Sequence, residues 1–321
     1  MCYNNNGDDM KRKIKRKPIV VIILIAILST FGIIYAVKTI NYHKTYEYKL
    51  LKVGYSKEEV VEIEKLKNKT KDYLLTIEYN KDVISLLNEK YFLEKNLKTY
   101  LEYYKDSDYD LTDVVAVVNV GANNEWYTNT KKTDISKNEL MLTNKFYSLD
   151  TSYNSDNMVK VSKQYSYGEN QMVTQDTFDA FLSMFNAAKE EDLTLIINSS
   201  YRSYEDQEEI YNEYKSTRGE KAANKIAAKP GFSEHQTGMS IDIQTYGSTA
   251  KTFEEFDEFK WLQQNAHKYG FILRYPKDKE YLTGYEYESW HYRYVGIEVA
   301  TYIHKNNITF DEYYAYFVEK D

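Results

Sequence analysis

The stretch Pro230-Gly231-Phe232-Ser233-Glu234-His235-Gln236-Thr237-Gly238-Met239-Ser240-Ile241-Asp242 sets a histidine in a loop and an aspartate seven residues later, inside a strand-like run, Met239 to Ile243. Downstream, Glu288-Ser289-Trp290-His291 sets a second histidine three residues after a glutamate. Two imidazoles and one carboxylate form a three-ligand set that leaves the fourth tetrahedral position of a zinc ion open to water, with bonds of about 2.0–2.2 Å. A base is then needed beside the open position. Glu288 is tied in sequence to a ligand yet free to point there. On spacing alone, H-x6-D is a weak pattern, and ordinary surface or core histidines are the simpler account of it. The other three histidines read structurally: His267 sits in the last turn of a helix, where a cation suits the dipole, His304 near another helix end, and His43 beside an apolar segment.

Outward from these motifs, the pattern from about Leu140 is that of a compact α+β domain. Phe178, Phe181, Leu182, Phe185 and Ala188 mark one face of a helix. Leu193 to Ile197 reads as a buried strand running into Asn198-Ser199-Ser200-Tyr201-Arg202-Ser203, and a helix follows over Glu205 to Tyr214. Another helix spans Glu254 to Tyr269, stopped by Gly270. Phe271 to Tyr275 and His291 to Val295 read as strands, and Thr309 caps a last helix. Upstream, the β-branched run Leu111 to Val120 reads as a strand. Residues 45–110 read as short helices, with Ser56 and Glu59 in a capping-box pattern, and carry no evident chemistry.

The amino-terminal end sets the location. Lys11 to Lys17 reads KRKIKRK, six basic residues in seven, and Pro18 to Val37 is twenty residues without a charge. As a helix these twenty span about 30 Å, the thickness of a bilayer core. Lys and Arg stay on the cytoplasmic side, which points everything after Lys38 outward. The apolar run ends without a small-x-small cleavage site, so an anchor is favoured over a cleaved signal peptide. The first 37 residues carry six basic and two acidic side chains, so the remainder holds −11 against a whole-chain net charge of −7. That acidic balance argues against nucleic acid as a partner. The single cysteine, Cys2, excludes a disulfide framework. The 34 tyrosines read as compositional bias.

Three ordered runs sharpen the picture: Ser199 to Gln207 (SSYRSYEDQ), Pro230 to Asp242, and Gly270 to Gly296 (GFILRYP…ESWHYRYVG). Together they resemble the VanY-type D-alanyl-D-alanine carboxypeptidases, a zinc peptidase group that also includes L,D-carboxypeptidases. The pattern S-x-H-x-x-G-x-A-x-D is met by Ser233, His235, Gly238 and Asp242, with Ser240 where alanine is usual. Glu288, Trp290, His291, Arg293 and Tyr294 meet E-x-W-H-x-R-Y. The resemblance covers roughly residues 140–315. It implies one zinc per chain on His235, Asp242 and His291, with Glu288 as general base and acid. Arg202 then meets the scissile carbonyl or a stem-peptide carboxylate, and Gln207, Ser233 and Tyr275 line the substrate pocket. The extra hydroxyl of Ser240 is expected to touch substrate preference and not metal binding. Trp290 and Tyr294 are expected as pocket wall or core.

A serine peptidase is the nearest decoy. Ser248-Thr249-Ala250-Lys251 and Ser155-Asp156-Asn157 are similar to serine D,D-peptidase motifs, but they occur in the wrong order and without K-T-G. The resulting expectation is a basic cytoplasmic tail (1–17), a transmembrane helix (18–37), a helical spacer (38–112) and a zinc carboxypeptidase domain (113–321). The last is an α+β fold with a small, mainly antiparallel sheet flanked by helices. Its partners are peptidoglycan stem peptides and, through residues 18–37, the lipid bilayer. The activity expected is removal of a terminal D-alanine, with an L,D-carboxypeptidase as the alternative and a non-catalytic wall-binding module as the minor one.

Overall fold

A computed structural model describes Met1 and residues 16–319. Most of the basic tail, including Cys2, lies outside the described residues. The described chain falls into two compact units, divided between Leu87 and Asn88.

The first unit opens with α1 (Arg16–His43). Its stretch Val20–His43 has mean hydropathy 2.8, is wholly unburied, and is long and apolar enough to cross a membrane. Thr45 caps α2 (Tyr46–Val53) by accepting from the Tyr48 amide at 3.2 Å. The capping box expected at Ser56 and Glu59 starts α3 (Lys57–Glu64). With α4 (Asn68–Leu74) and α5 (Asp82–Leu87), these helices enclose Leu50, Val60, Ile63, Leu74, Val83 and Leu86. Each such side chain contributes about 1.5–3 kcal/mol on burial.

The second unit begins with α6 (Leu97–Asp106) and α7 (Leu111–Val120). The strand expected at Leu111–Val120 is a helix. Asp110 caps it, accepting from the Asp113 amide at 2.9 Å, and Gly121 ends it at φ 82°. Val114 to Val118 are all buried, so the run has no period to read, and β-branched content alone misleads there.

Two small pairings follow: β1 (Lys131–Lys132) beside β2 (Tyr147–Ser148), parallel, and β3 (Met158–Lys160) against β4 (Met172–Thr174), antiparallel. Then come α8 (Gln175–Lys189), β5 (Ile196–Ser199), α9 (Tyr204–Arg218), α10 (Glu220–Ile226) and β6 (Ser240–Gln244). α11 (Asp257–Asn265), β7 (Phe271–Leu273), α12 (Glu280–Thr283), β8 (His291–Tyr294), α13 (Ile297–Asn306) and α14 (Phe310–Tyr313) complete the unit. The helix expected over 254–269 is broken into α11 and flanking 3-10 turns, Phe253–Glu255 and Ala266–Tyr269.

β5, β6, β8 and β7 form one antiparallel sheet in that order, the α+β arrangement expected. One face packs on α8 and α11 through Phe181, Met184, Ile241, Ile243, Leu262 and Tyr292. Successive residues of β8 alternate between faces. Tyr292 joins that apolar core, while His291 and Arg293 face a polar interior on the other side.

Candidate active site

The cross-strand register builds the site. β6 and β8 align Asp242 with His291, and β5 and β6 align Ser199 with Asp242. Residues opposite one another on antiparallel strands have Cβ atoms about 4.5–5.5 Å apart, so a carboxylate and an imidazole that lie 49 positions apart in sequence must meet. His235 reaches them from a single 3-10 turn, Glu234–Thr237. Ser233 caps that turn, accepting from the His235 amide at 3.3 Å. Gly238 then reverses the chain into β6 at φ 70°, where a Cβ would lie 2.6 Å from the Met158 sulfur.

The imidazole nitrogens are sorted by their partners. His235 Nδ1 lies 2.6 Å from the Ser200 carbonyl, so that nitrogen carries the proton, and Nε2 is left facing Asp242 Oδ1 at 3.5 Å. His291 turns Nδ1 to the same oxygen at 3.2 Å, while its Nε2 faces Glu234 Oε2 at 3.7 Å. The rings stand perpendicular, 4.9 Å between centroids. One ligand atom from each of His235, Asp242 and His291 lies within 4.8 Å of the others. Bonds of about 2.0–2.1 Å in a tetrahedron put donor atoms about 3.3 Å apart, close to the 3.2 and 3.5 Å found. Asp242 Oδ1 is buried without a hydrogen-bond donor, which is the signature of an oxygen suited to a cation. The donor set therefore fits zinc.

Charge is arranged accordingly. Burial, reinforced by the Arg202 charge, lowers the His235 pKa to about 4, keeping that imidazole neutral as a ligand must be. Burial works against a charge on His291, but its contacts with Asp242 and Glu234 outweigh this and raise its pKa to about 9. To hold a metal, His291 Nδ1 would have to give up that proton. Burial raises the Glu288 carboxyl to about 7, against the pull of His291. Its Oε2 sits 3.6 Å from His291 Nδ1, beside the donor cluster. Arg202 reaches Asp242 Oδ2 at 3.4 Å and donates from Nη1 to Gln207 Oε1 at 2.9 Å, while Gln207 donates to the Ala228 carbonyl at 2.8 Å.

Comparison with known proteins agrees with this geometry. Residues 170–297 match the profile of the VanY family, described as D-alanyl-D-alanine carboxypeptidase. YodJ of Bacillus subtilis (strain 168) is 42% identical over 184 residues, covering 56% of this chain and 67% of that protein. This chain belongs to the VanY family. It is therefore a zinc-dependent carboxypeptidase of the D-Ala-D-Ala type. A D-alanyl-D-alanine carboxypeptidase of Enterococcus faecium is 34% identical, with 62% of this chain and 64% of that one aligned. The solved LdcB LD-carboxypeptidase superposes with a TM-score of 0.56 at 39% identity, over 59% of this chain and 91% of that one.

The VanY-type site opens into a cavity of about 590 Å³, lined among others by Arg202, Gln207, Ser233, Tyr275 and Glu288. Trp290 is on its wall. Tyr294 instead packs against Phe271 in the core, rings 5.5 Å apart. Tyr275 sits between His291 at 5.0 Å and Tyr285 at 4.8 Å, its ring tilted to both. His267 lies in the last turn of the 3-10 segment Ala266–Tyr269, the structural place expected, where burial and the stacked His304 ring, 3.9 Å away, lower its pKa. The decoy Ser248 is spent on a turn, accepting from the Thr245 amide at 3.0 Å and donating to the Thr245 carbonyl at 2.9 Å.

Glu234, beside His291, is a buried charge that the motifs do not single out. It is only 1% exposed and holds Arg274 at 2.7 Å and Arg293 at 3.1 Å, with its second oxygen turned to His291. Arg274 in turn is gripped by Asp311 through two contacts, 2.6 and 3.3 Å. Burial opposes the charge on Glu234, but the two arginines hold its carboxyl well below the usual range. The available signal was charge inside otherwise apolar strands, in Phe271-Ile272-Leu273-Arg274-Tyr275 and His291-Tyr292-Arg293-Tyr294. Ser240 is fully buried beside this network. Its hydroxyl donates to Glu234 Oε2 at 3.3 Å, the oxygen that faces the His291 imidazole, and Ser240 itself does not line the cavity.

Proposed function

We propose that this chain is a single-pass membrane enzyme that removes the terminal D-alanine from peptidoglycan stem peptides outside the cell. In this reading, His235 Nε2, Asp242 Oδ1 and His291 Nδ1 hold one zinc ion, which when bound supplies a Lewis acid and an acidified water. Glu288 accepts a proton at its carboxylate and later delivers it to the leaving amine. Arg202, steadied by Gln207, presents its guanidinium to the oxyanion that develops at the scissile carbonyl. Ser233 and Tyr275 hold the substrate's C-terminal residue. The observation that carries the reading is three donor atoms converging, with a buried carboxylate beside them at 3.6 Å from one ligand. The likeness to an LD-carboxypeptidase supports L,D-cleavage of tetrapeptide stems as the second reading. The unburied apolar α1 and the basic run before it support the anchor and its orientation.

The test is mass analysis of synthetic tetra- and pentapeptide stems incubated with the full chain in detergent. D-Alanine released from the pentapeptide, stopped by a chelator and restored by zinc, is the expected result. Release from the tetrapeptide alone transfers the assignment to L,D-cleavage. No release from either, with zinc present, overturns both.

A further inference from the structure

The catalytic cavity does not end at the metal cluster. It continues along α9, where Gln207, Ile210, Tyr214 and Arg218 share one helix face at spacings of three, four and four residues, with Glu213 at the edge of that face. Trp290 and Ala250 also line the cavity. Two of the α9 residues carry opposite charges, and among the described residues neither Glu213 nor Arg218 has an ion-pair partner. Their neighbours at the same helix end are already paired: Glu220 holds Lys215 at 3.2 Å and Lys229 at 3.1 Å. The Arg218 guanidinium rests over the Tyr214 ring, 5.3 Å from its centroid, which limits the freedom it loses on meeting a ligand.

The spacing has a chemical counterpart. At 1.5 Å per residue, Glu213 lies about 9 Å and Arg218 about 16 Å along the helix axis from Gln207. An extended peptide advances about 3.3–3.6 Å per residue. A pentapeptide stem with its C-terminal residue beside Gln207 thus brings its third residue, a diamino acid two residues and about 7 Å upstream, within side-chain reach of Glu213. The second residue is a D-glutamate joined through its γ-carboxyl. Its longer backbone carries its free α-carboxylate further out, within reach of Arg218.

We propose that Glu213 and Arg218 form an upstream subsite that selects stem peptides bearing a free ammonium on the third residue and a free α-carboxylate on the second. This rests on the carboxypeptidase reading and adds a specificity rule to it. The experiment compares four synthetic stems, in tetra- and pentapeptide lengths: the parent with L-lysine and D-glutamate, the form with D-isoglutamine, the form with Nε-acetyl-lysine, and the doubly masked form. Turnover is measured with the zinc-loaded full chain and with its Arg218→Gln and Glu213→Gln variants. Calorimetric binding is measured with the same substitutions on a Glu288→Gln background. Within each protein the ratio of parent to masked peptide is read, so overall activity cancels. The expected ratios favour the parent about two- to fivefold for each charge, the size of one solvent-exposed ion pair, and act on KM more than kcat. Arg218→Gln should erase the isoglutamine ratio alone, and Glu213→Gln the acetyl-lysine ratio alone, with Arg218→Lys restoring part of the former. Ratios near one in the unsubstituted chain, or ratios untouched by the substitutions, overturn the subsite. Binding ratios that follow the charges without any turnover keep the subsite and overturn the carboxypeptidase reading instead.

Discussion

Glu288 and Glu234 lie within a few ångströms of the same imidazole, yet their surroundings divide their roles. Glu288 is buried with only the shared His291 imidazole close by, at 3.6 Å, so burial outweighs that pull, its carboxyl is raised to about 7, and it can exchange a proton near neutrality. Glu234 is clamped by two arginines and stays charged. Glu288→Gln is expected to lower kcat by about 10²–10⁴-fold while zinc content by elemental analysis stays at one per chain. Because the base must be deprotonated, activity should rise with pH through the Glu288 pKa. Zinc bound alongside moves that limb below 7, and a rate that is flat from pH 5 to 8 would contradict the assignment. For the carboxylate behind the ligand, Glu234→Ala should weaken zinc affinity by about 10–100-fold. Ser240→Ala, which deletes only the 3.3 Å hydrogen bond to Glu234, should weaken it by a smaller factor with the peptide preference intact. A competition titration against a metal-sensitive dye reads both, and a Ser240→Ala change confined to substrate preference would return that hydroxyl to the substrate side.

At the level of elements, the sheet around the ligands was legible because its strands carry motif and pattern together. Met239–Ile243 and His291–Val295 combine apolar alternation with the ligands themselves, and the structure pairs them directly. The register that sets Asp242 opposite His291 is a long-range fact that no local pattern contains. Leu111–Val120 failed for the opposite reason: it is apolar at nearly every position, and its caps, Asp110 and Gly121, outweigh β-branched propensity. The buried network escaped notice because an isolated arginine in a strand gives no hint of the carboxylate that faces it. Lys145, just before β2, is a further case. It is 1% exposed, donates to the Asn224 carbonyl and lies 4.1 Å from the Tyr285 ring centroid. Burial, with Lys229 nearby, lowers its pKa from 10.5 to about 7. Between those two values the unfolded chain holds a proton that the folded one has shed, so folding stability gains from this residue as pH rises from 7 towards 10.5. Denaturant melts of the parent and Lys145→Met should show the difference between them shifting in the parent's favour over that window. Parallel stability curves would mean that Lys145 keeps its ordinary pKa.

For the whole molecule, the decisive contrast is between an acidic chain and an apolar helix that, short of its last residues against Tyr48, has no buried side chain among the described residues. No residue of Val20–His43 is buried, and twenty-four residues at 1.5 Å each extend about 36 Å, enough to cross a hydrocarbon core of about 30 Å. An apolar surface of that length is stable only in lipid or in an assembly, and the flanking KRKIKRK sequence opposes passage of the amino terminus across a charged membrane. If the segment is an anchor, the mature chain keeps it. The protein should then sediment with membranes, resist alkaline carbonate, dissolve only in detergent and retain its intact mass. A protease added to cells stripped of wall should digest the region beyond His43 and spare a tag placed before Lys11. Recovery of a shortened, freely soluble chain beginning after residue 37 would show that the helix is a cleaved export signal, leaving the zinc chemistry untouched but removing the tether.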